Sequence, residues 1–103
     1  MTAAAVEKYF QALVGKDINR LVDASCAAWE SSARSEFESF GAVDVSLEKI
    51  LCKESNIDGA SALVTCTGKI IANYGNEVLE IDLADRTYQV IEEMGEWRMC
   101  GYK

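Results

Sequence analysis

The chain has 103 residues, half of them hydrophobic, which suffices for one packed core and leaves too few residues for a second. Seventeen acidic residues against ten basic ones give a net charge of −7, which disfavours nucleic acid and anionic membrane surfaces as partners. No apolar run approaches the ~20 residues that cross a bilayer. We therefore expect one domain over residues 1–103, with no nucleic-acid partner and no membrane partner.

The N-terminal sequence bears on the compartment. MTAAAVEKYF has neither the basic start nor the apolar stretch of a secretory signal peptide, which favours the cytoplasm. An exported protein whose leader has been removed would read the same way, so that alternative stays open.

Apolar residues at helical spacing predict that two neighbouring helices open the chain. Their stripes are Val6, Tyr9, Phe10, Leu13 and Val14 in the first and Ile18, Leu21, Val22, Cys26 and Trp29 in the second. Thr2 and Asp17 are the expected N-caps, and Gly15 is expected to end the first helix in a left-handed conformation.

A third, shorter helix is predicted to start after Ser31 or Ser32 and to end at Gly41. Its apolar stripe is Ala33, Phe37 and Phe40. The other side carries Arg34, Glu36 and Glu38, and we interpret it as an ordinary solvated face.

From residue 42 onward apolar residues alternate with polar ones, which is typical of half-buried strands. We predict four antiparallel strands, over about residues 43–52, 60–72, 77–90 and 97–102. The alternation changes phase near Lys49 and near Asp85–Arg86, which indicates a β-bulge at each place. Helices followed by such a sheet make an α+β domain.

The predicted register pairs Cys66 with Leu83, Gly68 with Ile81, Ile70 with Leu79, Met99 with Val90 and Gly101 with Tyr88. The inner face, which the helices cover, then holds Val64, Cys66, Ile70, Leu79, Ile81, Leu83, Tyr88, Val90, Trp97 and Met99. The outer face holds Leu51, Leu63, Thr65, Thr67, Ile71, Glu80, Asp82, Gln89, Ile91, Cys100 and Tyr102.

Part of the outer face is a candidate homodimer interface, because a semi-apolar patch on a sheet often marks a subunit contact. The candidates are Leu63, Thr65, Thr67, Ile91, Cys100 and Tyr102. The alternative is a scatter of exposed apolar residues, which is normal for a protein surface.

The four cysteines, Cys26, Cys52, Cys66 and Cys100, include no C-x-x-C pair, and the chain has no histidine. We therefore expect no metal site. The predicted register leaves Cys52 and Cys66 out of step and puts Cys66 and Cys100 on opposite faces, so neither pair should form a disulfide. A bond from Cys26 to a strand cysteine stays open, and buried free thiols are the default expectation.

The order of elements resembles that of the nuclear-transport-factor-2-like, or cystatin-like (SnoaL-like), superfamily. AVEKYFQALVGKDINRLVDASCAAWE looks like its opening helix pair and DRTYQVIEEMGEWRMCG like its closing hairpin. The resemblance spans nearly the whole chain. It implies N-terminal helices on the concave face of a curved, cone-shaped four-strand antiparallel sheet, a pocket at the open end, and often a homodimer formed through the sheets. Members include isomerases, dehydratases, polyketide cyclases and epoxide hydrolases, and also non-catalytic binding or assembly domains.

The search for catalytic groups is mostly negative. Enzymes of that superfamily place Asp, His, Tyr or Arg on the inner wall, and the predicted wall carries no carboxylate. Without histidine, a Ser-His or Cys-His pair is impossible within one chain. Asp85 and Arg86, at the second phase shift, are the one place where charged side chains could turn inward. The alternative there is a polar kink in the strand.

A small apolar ligand is the partner that the remaining residues suggest, because several rings could line a pocket with a few polar tips. The pocket candidates are Tyr9, Trp29, Phe37, Phe40, Cys66, Tyr88 and Trp97, unless they simply fill the core. We expect a non-catalytic small-ligand-binding or dimerisation module without a cofactor. An isomerase- or dehydratase-type enzyme and a protein–protein assembly module are the alternatives.

Overall fold

Three helices precede five strands in a computed structural model that describes residues 2–41 and 43–102. The helices are α1 (Thr2–Val14), α2 (Ile18–Asp23) and α3 (Glu30–Ser39). The strands are β1 (Asp44–Asp58), β2 (Ser61–Asn73), β3 (Val78–Asp82), β4 (Thr87–Glu93) and β5 (Glu96–Tyr102). Helices packed on a curved, open antiparallel sheet confirm the predicted α+β architecture. In the part of the chain described, no helix is both long and apolar enough to cross a membrane.

The strands form one sheet around the long strand β2. β1 pairs with β2 along one side, while β4 pairs with residues 61–65 and β3 with residues 69–73 on the other side. β5 lies beyond β4. All four predicted strands are present, and the third is divided into β3 and β4.

The division lies where the sequence predicts a phase shift. A single 3-10 turn, Leu83–Asp85, separates β3 from β4. Asp82 caps this turn by accepting a hydrogen bond from the backbone N–H of Ala84 at 2.9 Å. The turn buries Leu83 completely, so the chain leaves the sheet briefly without exposing its apolar side.

β1 and β2 bend together at a bulge, which confirms the irregularity predicted near Lys49. The register shifts between Glu48 and Leu51, and Lys49 has a φ of 53°. Opposite the bulge, Gly68 has a φ of 104°. A Cβ at Gly68 would lie 2.7 Å from the carbonyl oxygens of both Glu48 and Lys49, so only glycine fits.

The core forms between α1 and the inner face of the sheet. Four of the five predicted stripe residues of α1, namely Val6, Tyr9, Phe10 and Leu13, are buried, and Val14 is half-buried. Phe10 makes edge-to-face contacts with Tyr9 and Tyr88, at centroid distances of 5.5 and 5.4 Å. The predicted inner-face residues that are at most 2% exposed are Val64, Cys66, Ile70, Leu83, Tyr88, Val90 and Met99.

The junction between α1 and α2 differs in detail from the prediction. Lys16, with a φ of 57°, takes the left-handed conformation expected of Gly15. Gly15 is required for a different reason, because a Cβ there would lie 2.9 Å from the carbonyl oxygen of Gln11. Thr2 lies within α1 instead of capping it, and its hydroxyl donates to Glu54 at 2.7 Å.

The second helix is shorter than predicted. Asp17 is its N-cap as expected and accepts from the backbone N–H of Arg20 at 3.2 Å. The helix ends at Asp23, however, so Cys26 and Trp29 lie beyond it. The segment after α2 instead runs beside β5, where the N–H of Cys26 donates to the carbonyl of Met99 at 2.8 Å. α3 then begins at Glu30, two residues earlier than the earliest predicted start.

The predicted register was wrong in three places, and the first is the β2–β3 hairpin. Ile70 pairs with Ile81, and Leu79 pairs with Ala72, because the β2–β3 turn closes through a bond from the Tyr74 N–H to the Glu77 carbonyl. Leu79 therefore lies at the end of the sheet and is 49% exposed.

In the β4–β5 hairpin the pair Val90–Met99 is confirmed, and the pair Tyr88–Gly101 was wrong. The register shifts between Tyr88 and Val90, so that Tyr102 lies opposite Tyr88. Tyr102 consequently faces the helices and not the outer side.

The expectation of free thiols was also wrong, because both cysteine pairs are disulfide-bonded. A register shift between Glu54 and Asn56 places Cys52 directly opposite Cys66, with Cα atoms 4.0 Å apart. The open alternative for Cys26 is confirmed by its bond to Cys100, with Cα atoms 5.2 Å apart. One disulfide joins the two strands of the long hairpin, and the other fastens the α2–α3 segment to β5.

Removing either disulfide should lower the free energy of unfolding. The bonded residues are 74 positions apart in Cys26–Cys100 and 14 apart in Cys52–Cys66. Because a longer closed loop restricts the unfolded chain more, we expect a loss of roughly 4–5 kcal/mol for Cys26→Ala/Cys100→Ala and roughly 3 kcal/mol for Cys52→Ala/Cys66→Ala. Urea unfolding followed by circular dichroism measures both. Wild-type protein that unfolds at the same urea concentration with and without reductant would contradict the prediction.

Candidate functional site

A small open cavity lies between α1, α3 and the inner face of the sheet, with a volume of about 160 Å³. We call it the mouth cavity. It is lined by Phe10, Leu13, Glu36, Ser39, Phe40, Ile70, Ile81, Arg86 and Tyr102. Apolar side chains make most of its wall. Its polar groups are the Glu36 carboxylate and the Ser39 hydroxyl from α3, the Arg86 guanidinium from the residue before β4, and the Tyr102 phenol from β5.

Glu36 is the carboxylate of this cavity, and the chain positions both of its oxygens. Tyr9 Oη donates a hydrogen bond to Glu36 Oε1, and Tyr102 Oη donates to Glu36 Oε2 at 3.5 Å. Trp29 Nε1 in turn donates to Tyr9 Oη at 3.2 Å. The result is a connected polar network that runs from the buried core to the cavity wall.

The interpretation of Glu36 as part of a solvated face was therefore wrong, since its side chain is half-buried. A signal for this was present in the sequence. Residues 33, 36, 37 and 40 follow the spacing of one helical face, and Glu36 occupies the second of these positions. A charge inside an apolar stripe is unusual and indicates a partner within the fold.

Arg86 is the guanidinium of the cavity, and it stacks on an aromatic ring. Its central carbon lies 4.2 Å from the centroid of the Tyr102 ring, and its side chain is half-buried. Among residues 2–41 and 43–102, the ion pairs within 4.0 Å do not include Arg86. Of the pair that the sequence singled out, Arg86 lines the cavity and Asp85 is exposed.

The other predicted pocket residues do not surround one cavity. Tyr9, Cys66 and Tyr88 are buried in the core, and the sulfur of Cys66 is bonded to Cys52. Trp29 and Phe37 pack partly buried against the core. Phe40 alone of the set lines the mouth cavity, and Trp97 lines a wider cleft elsewhere. Most of this set therefore fills the core or packs against it.

The wider cleft, of about 550 Å³, lies between α1, α2 and the start of β5. Small residues form its floor and Trp97 one wall, while its rim carries Lys8, Gln11, Asp17, Arg20, Asp23 and Glu96. Arg20 and Asp17 already pair at 3.4 Å, with side chains that are 82% and 44% exposed. Charges at such a rim are screened by water, so the cleft offers less for selective recognition than the mouth cavity.

The dimer candidates separate into two groups. Leu63, Thr65 and Thr67 alternate on β2 with buried residues and so lie on the outer face, and Ile91 pairs with Ser61 beside them. Cys100 is bonded to Cys26, and Tyr102 faces the helices. Leu51, opposite Thr67, adds a side chain that is 67% exposed to the first group.

Two tyrosines of the core are held in their neutral form. Burial, and next to it the Glu36 carboxylate, raise the pKa of the Tyr9 hydroxyl far above its ordinary value. Burial likewise raises the pKa of Tyr88 to about 12. Within the described residues no group of three or more His, Cys, Asp and Glu side chains could hold a metal ion.

No protein-family model and no curated protein matches this chain. Solved structures do resemble it. One is a SEC-C motif containing protein from Rhodopseudomonas palustris, with a TM-score of 0.63 and 10% identity over 97% of this chain and 75% of that one. Another, from Novosphingobium aromaticivorans, bears the name "Putative Scytalone Dehydratase" and has a TM-score of 0.63 and 14% identity over 93% of this chain and 74% of that one. At such identities the likeness shows the fold alone.

Stability should fall as the pH rises above 10, because Tyr9 and Tyr88 ionise near 10 in the unfolded chain and at higher pH in the fold. Their contribution is fully present below pH 10 and is lost as the pH rises through the folded-state pKa, about 12 for Tyr88. Urea midpoints from about pH 8 to pH 11 measure the fall.

Two variants test whether the buried Tyr9 hydroxyl contributes to this loss of stability above pH 10. Tyr9→Phe should flatten the decline and cost about 1–3 kcal/mol at neutral pH, because Glu36 and Trp29 lose their shared partner. Tyr74→Phe, at an exposed position, is the control and should leave both quantities unchanged. An equal decline in wild type and Tyr9→Phe would refute the assignment.

Proposed function

We propose that this domain binds a small ligand in the mouth cavity and performs no chemistry on it. One observation carries the proposal: the carboxylate of Glu36 and the guanidinium of Arg86 converge on an otherwise apolar cavity. Ligand sites typically combine apolar walls with a few fixed polar groups in this way. The network through Tyr9 and Tyr102 supports it further, because it holds the carboxylate in place before any ligand arrives.

The size of the cavity limits the ligand. At about 160 Å³ it is close to the ~150 Å³ apolar cavity that accommodates benzene in another protein. A single six-membered ring with one polar substituent therefore suits the space. Phe10, Leu13 and Phe40 supply apolar contacts for such a ring, and the polar groups lie on the remaining wall.

An isomerase- or dehydratase-type activity is the second candidate, favoured by the half-buried position of Glu36. The fold is shared with the protein from Novosphingobium that carries a dehydratase name. A general base must have a free lone pair directed at the proton that it removes. Each carboxylate oxygen of Glu36 accepts one hydrogen bond from a tyrosine and keeps one free lone pair. Glu36 is therefore the residue that such an activity would use as its base.

Titration of ¹⁵N-labelled protein with benzamide, a neutral one-ring probe, tests the binding proposal. We expect amide shifts centred on the mouth cavity and a Kd of about 1 mM or lower, as befits a ligand of this size. Ile81→Trp should fill the cavity and weaken binding at least about tenfold.

Gln11→Trp, at the rim of the wider cleft, is the matched control and should leave benzamide binding unchanged. Shifts centred on the wider cleft, or a response to Gln11→Trp and not to Ile81→Trp, would place the site elsewhere and overturn the proposal.

The outer face of the sheet supports a further proposal, that two copies of the chain pair through it. Leu51, Leu63, Thr65, Thr67 and Ile91 form a semi-apolar patch on this face. Charged residues border the patch, including the exposed ion pair between Lys69 and Glu80 at 2.7 Å. An apolar centre with a polar border is the usual composition of a homodimer interface.

Sedimentation equilibrium tests the pairing. Wild-type protein should be dimeric at micromolar concentration, and Thr65→Lys/Ile91→Lys should be monomeric, because each side chain would bury a charge against its own copy. Met94→Lys, at an exposed position in the β4–β5 turn, is the control and should remain dimeric. A monomeric wild type, or a double variant that still associates, would refute the proposal.

The two disulfides favour an oxidising compartment over the cytoplasm, so the exported alternative is the one we propose. All four cysteines are bonded, and structural disulfides persist mainly in exported proteins. The reductant experiment described with the fold is its test. A negligible loss of stability on reduction would remove the reason for this assignment.

A further inference from the structure

We infer that the ligand of the mouth cavity carries a carboxylate and that Arg86 binds it. This inference rests on the proposed function, since it names the class of ligand for the same cavity. Its starting point is a half-buried cation for which the described part of the chain supplies no counter-ion within 4.0 Å.

The geometry of Arg86 is suited to a planar anion. Its guanidinium lies over the ring of Tyr102, with the central carbon 4.2 Å from the ring centroid, and a guanidinium presents N–H donors along its planar edge. A carboxylate can accept two parallel hydrogen bonds from such an edge. The Tyr102 hydroxyl meanwhile donates to Glu36, so one side chain orients both charged groups of the cavity.

The nearby carboxylates of the chain do not supply a counter-ion for Arg86. Glu36 lines the same cavity, yet it accepts from Tyr9 and Tyr102 and forms no ion pair with Arg86. Asp82 caps the 3-10 turn, and Asp85 is exposed to solvent. A ligand carboxylate would therefore supply the counter-ion that Arg86 lacks among the described residues. A half-buried charge is more stable when it is paired with an opposite charge.

The charge of Glu36 restricts where the ligand carboxylate can lie. Like charges repel, so the anion must sit on the Arg86 side of the cavity, with its apolar body between the two polar groups. Phe10, Leu13 and Ile70 provide apolar wall for that body. The class that fits is a small monocarboxylate with one ring or a short branched chain.

Three isosteric probes separate this inference from the proposed function. Benzoate, benzamide and benzamidine share one planar shape and carry a negative, zero and positive charge. In ¹⁵N titrations at equal ionic strength, we expect benzoate to bind at least about tenfold tighter than benzamide, with benzamidine weakest. Benzamide binding equal to or tighter than benzoate binding, or tightest binding by benzamidine, would overturn the carboxylate inference and leave the proposed function standing. No binding by any of the three would overturn both.

Variants of Arg86 test whether its guanidinium causes the preference for benzoate over benzamide. Arg86→Gln should remove the preference for benzoate, so that benzoate and benzamide bind with affinities within about twofold of each other. Arg86→Lys retains the charge without the two-pronged edge, so it should keep only part of the preference, and it serves as the test if Arg86→Gln does not fold. Arg20→Gln, at the wider cleft, is the matched control and should change no affinity. A benzoate preference that survives both substitutions of Arg86 would assign the anion to another group and overturn the inference.

Discussion

The hydroxyl of Tyr9 sits inside a packed core, and much of the molecule follows from the need to give it a partner. Leaving such a group without a hydrogen bond would cost about 1–3 kcal/mol. Glu36 and Trp29 meet the need from two different parts of the chain. Because Glu36 must reach inward to do so, α3 brings a carboxylate to the mouth cavity. The candidate site is thus a product of core packing as much as of any surface feature.

The types and order of the elements could be predicted, because each depends on a local pattern. The buried stripe of α1 and the alternation along β2 are strong signals of that kind. Strand register depends instead on the number of residues in each turn and bulge. The alternation of apolar and polar residues does not give that number. The shift between Glu54 and Asn56 moved Cys52 opposite Cys66, and this one residue decides between free thiols and a disulfide.

The sequence indicated the two charged groups of the site, Arg86 and Glu36, to different degrees. Arg86 lies beside a break in strand alternation, which marked it as a residue that could turn inward. The position of Glu36 on the apolar face of its helix was a weaker signal, since a carboxylate on a short helix is normally solvated. Only the position of its partner Tyr9, far away in sequence, explains its burial, and sequence spacing alone does not show which residues meet across the fold. Tyr102 was misplaced for a related reason, because its face depends on a register shift in the last hairpin.

The Cys26–Cys100 bond also sets the path that a pulling force would take through the molecule. A force applied at the two chain ends passes from Cys26 to Cys100 through the disulfide, so the strands between them carry almost none of it. The 74-residue separation, which would otherwise extend to roughly 250 Å, stays closed. The described residues that can be drawn out are those outside the closed loop, which are α1, α2, the residues between α1 and Cys26, and the end of β5 after Cys100. The sheet and the Cys52–Cys66 hairpin are therefore mechanically shielded, and the docking of α1 is the part of the fold that yields to tension.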